Sequence, residues 1–162
     1  MDTVRPYREN DAASLWELKQ AFERELGTET GDDAKARAYE AKLDGTYRDE
    51  YLDWVRRCTE EHAGTVQVAE RDGTLVGYVF VLPSSLSYIW DSAVLNELFV
   101  REPHRGTGVG DDLLGAALAV AREQPLPMDR IVLDVDPGNE RAVAFYERWG
   151  FEDWGTLVAR KL

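Results

Sequence analysis

Apolar positions recur along this chain with two periods, and the switches between them mark out its elements. Residues 2–5 read as a short strand closed by Pro6. Leu15, Leu18, Phe22 and Leu26 then follow at helical spacing, with Asn10 or Asp11 as the cap and Gly27 as the stop. A second helix is expected to open at Gly31-Asp32-Asp33 and to fade by Asp44-Gly45. Thr46 is expected to cap a third, which carries Tyr47, Tyr51, Trp54, Val55 and Cys58 on one stripe. Val66 and Val68 alternate with polar neighbours, Asp72-Gly73 marks a turn, and residues 75–82 are largely apolar, so this stretch predicts a hairpin. After a loop over 83–91 the pattern becomes strand, helix, strand, helix. Residues 95–100 are an apolar strand, and Val109, Leu113, Leu114, Ala117, Leu118 and Ala121 line one face of a helix. Residues 131–135 read as a buried strand, and 139–149 as a helix stopped by Gly150. Residues 151–154 and 156–161 are expected as two last strands joined at Gly155.

Antiparallel strands first, then one strand–helix–strand crossover, define an α/β (α+β) fold. It has a mixed, mostly antiparallel central sheet with one parallel strand pair and flanking helices. At 162 residues, the chain 1–162 is expected to form a single domain around one core.

The candidate chemistry begins where the strand ending Leu98-Phe99-Val100 runs into Arg105-Gly106-Thr107-Gly108-Val109-Gly110 and straight into a helix. Glycines at such a turn let the backbone come close to a ligand. The first amides of the helix lack intrahelical partners and sit at the positive end of its dipole, so they suit an anion. Arg105 adds a forked donor matched to phosphate. A Walker loop needs Lys and then Ser or Thr after its last glycine, but Gly110 is followed by Asp111-Asp112; the dinucleotide fingerprint needs G-x-G-x-x-G, but the spacing here is G-x-G-x-G. The order Arg105-x-x-Gly108-x-Gly110 resembles the acetyl-CoA loop of the GCN5-related N-acetyltransferases. A second signature of that family, N-x-x-A-x-x-x-Y-x-x-x-G-F, is matched at Asn139, Ala142, Tyr146, Gly150 and Phe151. Asn139 and Tyr146 are about two helical turns apart and project to one side.

The resemblance implies a specific use of these residues. The amides from Arg105 to Gly110 would hold the pyrophosphate of acetyl-CoA, with Asn139 and Tyr146 touching the same long ligand. The two parallel strands would splay beyond a bulge to admit the pantetheine arm. An amine would attack the thioester, and a main-chain N–H on the Leu98–Phe99–Val100 stretch would steady the developing oxyanion. Tyr146 would protonate the departing thiolate, whose ordinary pKa is about 8.5. A primary amine with pKa near ~10.4 must lose a proton before it attacks. Glu97, on the strand beside the donor site, is the candidate base, directly or through water, with Asp134 and Asp91 as alternatives. The implied function is transfer of an acetyl group from acetyl-CoA to a primary amine of a small molecule or protein, without a metal. The alternative in another class is a degenerate acyl-CoA-binding sensor or partner protein, and a nucleotide-binding regulator is a third reading.

Composition narrows the partners. The chain carries 31 acidic and 19 basic residues, a net charge of -12, so nucleic acid is not an expected partner. Only four of the basic residues are lysine, a surface pattern resembling that of proteins from salt-loving microbes. No apolar run approaches the ~20 residues of a membrane helix, no export leader is evident, and the lone Cys58 cannot form an internal disulfide. A cytoplasmic monomer or homodimer is therefore expected. Cys58 and His62 are four apart but lack a third group to make a nucleophile or a zinc site. Asp111 and Asp112 favour the helix dipole yet would repel phosphate, so they are expected to point away from it. Trp90 is the tryptophan expected to line the acceptor site.

Overall fold

The computed structural model describes residues 2–29 and 33–162. Its sheet has the order β1-β2-β3-β4-β5, formed by Asp2–Pro6, Val66–Arg71, Thr74–Val81, Ala93–Val100 and Ile131–Val132. The first three pairings are antiparallel, and β4 with β5 is parallel. This is the mixed sheet that the sequence pattern implies. Asp72 and Gly73 both adopt positive φ, 51° and 78°, in the two-residue turn of the β2–β3 hairpin.

Each face of the sheet has its own apolar layer. On one side α1 (Ala12–Glu29) and α3 (Gly45–Glu61) supply Leu15, Leu18, Tyr51, Val55 and Cys58 to a cluster with Val66, Val68, Tyr78, Phe80 and Phe99. On the other, α4 (Val109–Glu123) buries Val109, Leu113, Leu114 and Ala117 against Val76, Val79, Val81 and Leu95. Phe145, Tyr146 and Trp149 of α5 (Glu140–Arg148) and its end join this second layer. The helix α2 (Asp33–Ala41) buries no residue and lies against α1.

Several expected boundaries shift. Gly27 does not stop the first helix, which runs on to Glu29; a Cβ there would sit 3.1 Å from Ala36 Cα, so the glycine serves the close approach of α2. Asp44, not Thr46, caps α3, its carboxylate accepting from the Tyr47 amide at 2.7 Å. Gly31 and Asp32 lie outside the described residues. The strand expected over 131–135 keeps only Ile131–Val132, because the ladder with β4 ends there. Residues 151–162 form no strand. Their alternation suits an extended chain, but a ladder needs a neighbour, and β5 offers an edge of two residues. Trp154 instead stacks on the Arg130 guanidinium at 3.9 Å, while Leu157 and Val158 stay 70% and 84% exposed. No helix among the described residues is long and apolar enough to cross a membrane.

Candidate active site

The site starts with a bulge. Phe80 pairs with Glu97, yet its neighbour Val81 pairs with Leu95, so Asn96 is an extra residue in β4 and stands exposed. Pairing with β5 covers only Ala93↔Ile131 and Val94↔Val132. From Leu95 to Val100 the outer edge of β4 therefore faces a gap, with no ladder partner among the described residues. Leu98 and Val100 face the α4–α5 layer in this stretch, and Phe99 faces the α1–α3 layer.

β4 leads into the glycine loop through a short 3-10 turn, Glu102–His104. Thr107 Oγ1 closes the loop on the His104 carbonyl at 2.5 Å, and His104 Nδ1 lies 3.0 Å from Arg71 Nη1. Gly108 is the N-cap of α4 with φ 95°, a left-handed conformation open to glycine, and no side chain caps the helix. The α3 and α5 caps are different: Asp44 and Asn139 accept from their own first turns, the latter from the Ala142 amide at 3.1 Å. The amides at the start of α4 thus remain available to an anion. A Cβ on Gly106 or Gly108 would meet nothing within 4 Å, whereas one on Gly110 would reach Phe145 at 3.4 Å. Gly110 therefore serves the contact between α4 and α5 rather than an open cradle. Asp111 turns away from the loop, accepting from Trp149 Nε1 at 2.6 Å and Arg148 at 2.8 Å, as its charge requires.

Tyr146 lies on the same layer as Leu98 and Val100, between Phe145 and Phe151 at ring distances of 5.3 and 5.4 Å. Burial pushes its hydroxyl pKa well up, and the nearby Arg141 offsets this only in part. Its hydroxyl has no hydrogen-bond partner among the described residues.

Glu97 is placed quite differently. Its side chain enters the α1–α3 layer, on the opposite face of the sheet from Tyr146, and only 5% of it is exposed. Oε1 accepts from Tyr51 and Tyr78, each at 2.8 Å, and lies 3.2 Å from Lys19 Nζ; Oε2 accepts from Asn96 Nδ2 at 3.0 Å. Lys19 also bridges to Glu23 at 2.5 Å, and Lys42 meets the other Glu23 oxygen at 2.8 Å. Burial opposes the charge of Lys19, but Glu97 and Glu23 outweigh it and hold the ammonium pKa above its ordinary value. Burial and Glu97 together drive the Tyr51 and Tyr78 hydroxyls well above theirs. Sequence reading missed this network, although a signal was present: Lys19 and Glu23 interrupt the apolar face of α1 at i,i+4 spacing.

The remaining candidates are scattered. Cys58 is buried, which raises its thiol pKa to about 11, while the His62 ring accepts from the Gly64 amide instead. Asp91 and Asp134 are exposed, and Trp90 is 55% exposed on the loop before β4. Among the described residues no three His, Cys, Asp or Glu side chains gather as a metal ligand set.

The chain resembles known proteins in these same elements. The acetyltransferase (GNAT) family pattern matches residues 16–151. A mycothiol acetyltransferase of Salinispora tropica is 42% identical over 74 residues, 44% of this chain but 24% of that protein, so the chain spans about a quarter of its length. A peptidyl-lysine N-acetyltransferase of Escherichia coli is 33% identical over 113 residues, 70% of this chain and 65% of the other. In fold, the PaiA N-acetyltransferase of Thermoplasma acidophilum, solved in complex with coenzyme A, superposes with a TM-score of 0.74 at 18% identity, covering 96% of this chain and 92% of that one. A bulged β4, a two-residue β5, an uncapped glycine loop and the Asn139–Tyr146 helix are joined by a family match over most of the sequence, and the chain belongs to the GNAT acetyltransferase family.

Proposed function

We propose that this protein transfers the acetyl group of acetyl-CoA to a primary amine. The observation that carries this reading is the open N-terminus of α4, set directly behind a β4 edge that has lost its partner. A pyrophosphate fits that terminus: its amides are uncapped, Gly108 is left-handed, and nothing fills the space a Cβ would take. Bound acetyl-CoA supplies the acyl group as a thioester. Amides of the Leu98–Phe99–Val100 stretch are the donors nearest the gap for a developing negative charge. Tyr146, neutral and without a partner, supplies the proton for the thiolate. Glu97 already holds two hydroxyls, an ammonium and Asn96, so its part is to fix the bulge, and the attacking amine loses its proton to water.

The relatives named above are, by their names, a mycothiol acetyltransferase and a peptidyl-lysine N-acetyltransferase, and the lysine of the second supports a primary amine here. Release of free thiol from acetyl-CoA, measured over a panel of amines, amino acids and peptides, tests the proposal. Amine-dependent release is expected. Tight coenzyme A binding with no release over the panel would favour the sensor reading.

A further inference from the structure

Two arginines from different elements converge on one carboxylate beside the glycine loop. Arg105 Nη2 lies 2.7 and 2.6 Å from the two oxygens of Glu25 on α1, and Arg141 Nη2, in the first turn of α5, lies 2.6 Å from Oε1. The partners are 80 and 116 residues apart in sequence, so the fold itself builds this cluster. Arg105 is not free to swing. Its Nε donates to the Val100 carbonyl at 2.9 Å, and its guanidinium lies over the Phe99 ring at 5.6 Å. Arg105 and Glu25 keep only 18% and 22% of their side-chain surface, which makes the contact stronger than an ordinary surface pair.

The location gives this trio its meaning. Arg105 immediately precedes the loop glycines, and Arg141 follows the Asn139 cap by two residues. Two guanidinium forks that hold a carboxylate will hold a phosphate more firmly, since it offers more charge and more acceptor oxygens. We propose that Arg105 and Arg141 form a phosphate seat for coenzyme A and that Glu25 is its built-in competitor. This rests on the acetyl-CoA reading above. The phosphate displaces the Glu25 carboxylate, and the exchange releases the end of α1 from both the loop and α5.

The sign of one substitution separates this role from a passive one. If Glu25 merely aims the two arginines, removing its charge weakens coenzyme A binding; if it competes, binding tightens. Coenzyme A is titrated calorimetrically into wild type, Glu25→Gln, Glu25→Asp and Arg141→Gln. Glu25→Gln keeps the shape and is expected to tighten binding by about ten- to a hundredfold, the range of one charge-assisted hydrogen bond. Glu25→Asp, which draws the carboxylate back, is expected to tighten it less, and Arg141→Gln to weaken it. Equal or weaker binding by both Glu25 variants, with wild type binding normally, overturns the competitor role and leaves the acetyltransferase proposal standing. No binding of coenzyme A by any of the four proteins overturns both.

Discussion

The Tyr146 ring packs between two aromatic rings, while its hydroxyl meets no protein partner among the described residues and is not sealed from solvent. A hydroxyl so placed is open to a ligand. Tyr146→Phe retains the ring and its contacts while removing the proton. Turnover is expected to fall roughly 10- to 1000-fold, the span of general acid catalysis, with acetyl-CoA affinity nearly unchanged. Burial raises the Tyr146 pKa, so the acid form persists as the pH climbs. A pH profile of kcat is accordingly expected to show no falling limb from this group below about pH 10. Unchanged turnover in the Phe variant, with chemistry rate-limiting, would contradict the assignment. Glu97 teaches the opposite lesson. Its place on β4 was readable from the sequence, but which face it uses depends on the extra residue at Asn96, and no local pattern reveals a bulge.

Between elements, the Lys19–Glu97 network ties α1 and α3 to β3 and β4. Breaking a buried pair strands the remaining charge, so Lys19→Met is expected to cost about 3–5 kcal/mol in denaturant unfolding. Tyr51→Phe loses one hydrogen bond to a charged group and is expected to cost about 1.5–3 kcal/mol. Arg56→Met, on the exposed face of α3, is the control and is expected to leave the midpoint almost unmoved. If Lys19→Met proves as mild as that control, the network is not a structural joint. Elements written in local chemistry were legible in advance. Asp72-Gly73 specified the hairpin, and the Asn139 cap with Gly150 at φ 88° bounded α5. Elements that depend on a distant neighbour were not. The alternation over 156–161 suits a strand, yet the β5 edge it would need stops at Val132. Gly27 read as a stop because the arrival of α2 could not be seen.

Across the whole molecule, the charge excess acts on every element at once. With 31 acidic and 19 basic residues, repulsion among carboxylates is expected to outweigh the exposed ion pairs, each worth little. Salt shortens the screening length from about 10 Å at 0.1 M to about 3 Å at 1 M, so added KCl is expected to raise the melting temperature over that range. A flat or falling curve would show that the charge excess does not strain the fold. The larger claim concerns how the parts meet: a bulge interrupts β4, β5 ends after two residues, and the bare end of α4 faces the gap with α5 alongside. Calorimetric titration of acetyl-CoA into wild type and Gly108→Val tests it most directly. A Cβ on Gly108 would meet no described residue within 4 Å, so the variant is expected to keep a near-native circular dichroism spectrum. Wild type should bind, and the variant should lose at least about tenfold in affinity, because its side chain occupies the cradle and strains the left-handed cap. A folded Gly108→Val protein that binds acetyl-CoA within a few-fold of wild type would contradict the placement of the pyrophosphate at α4.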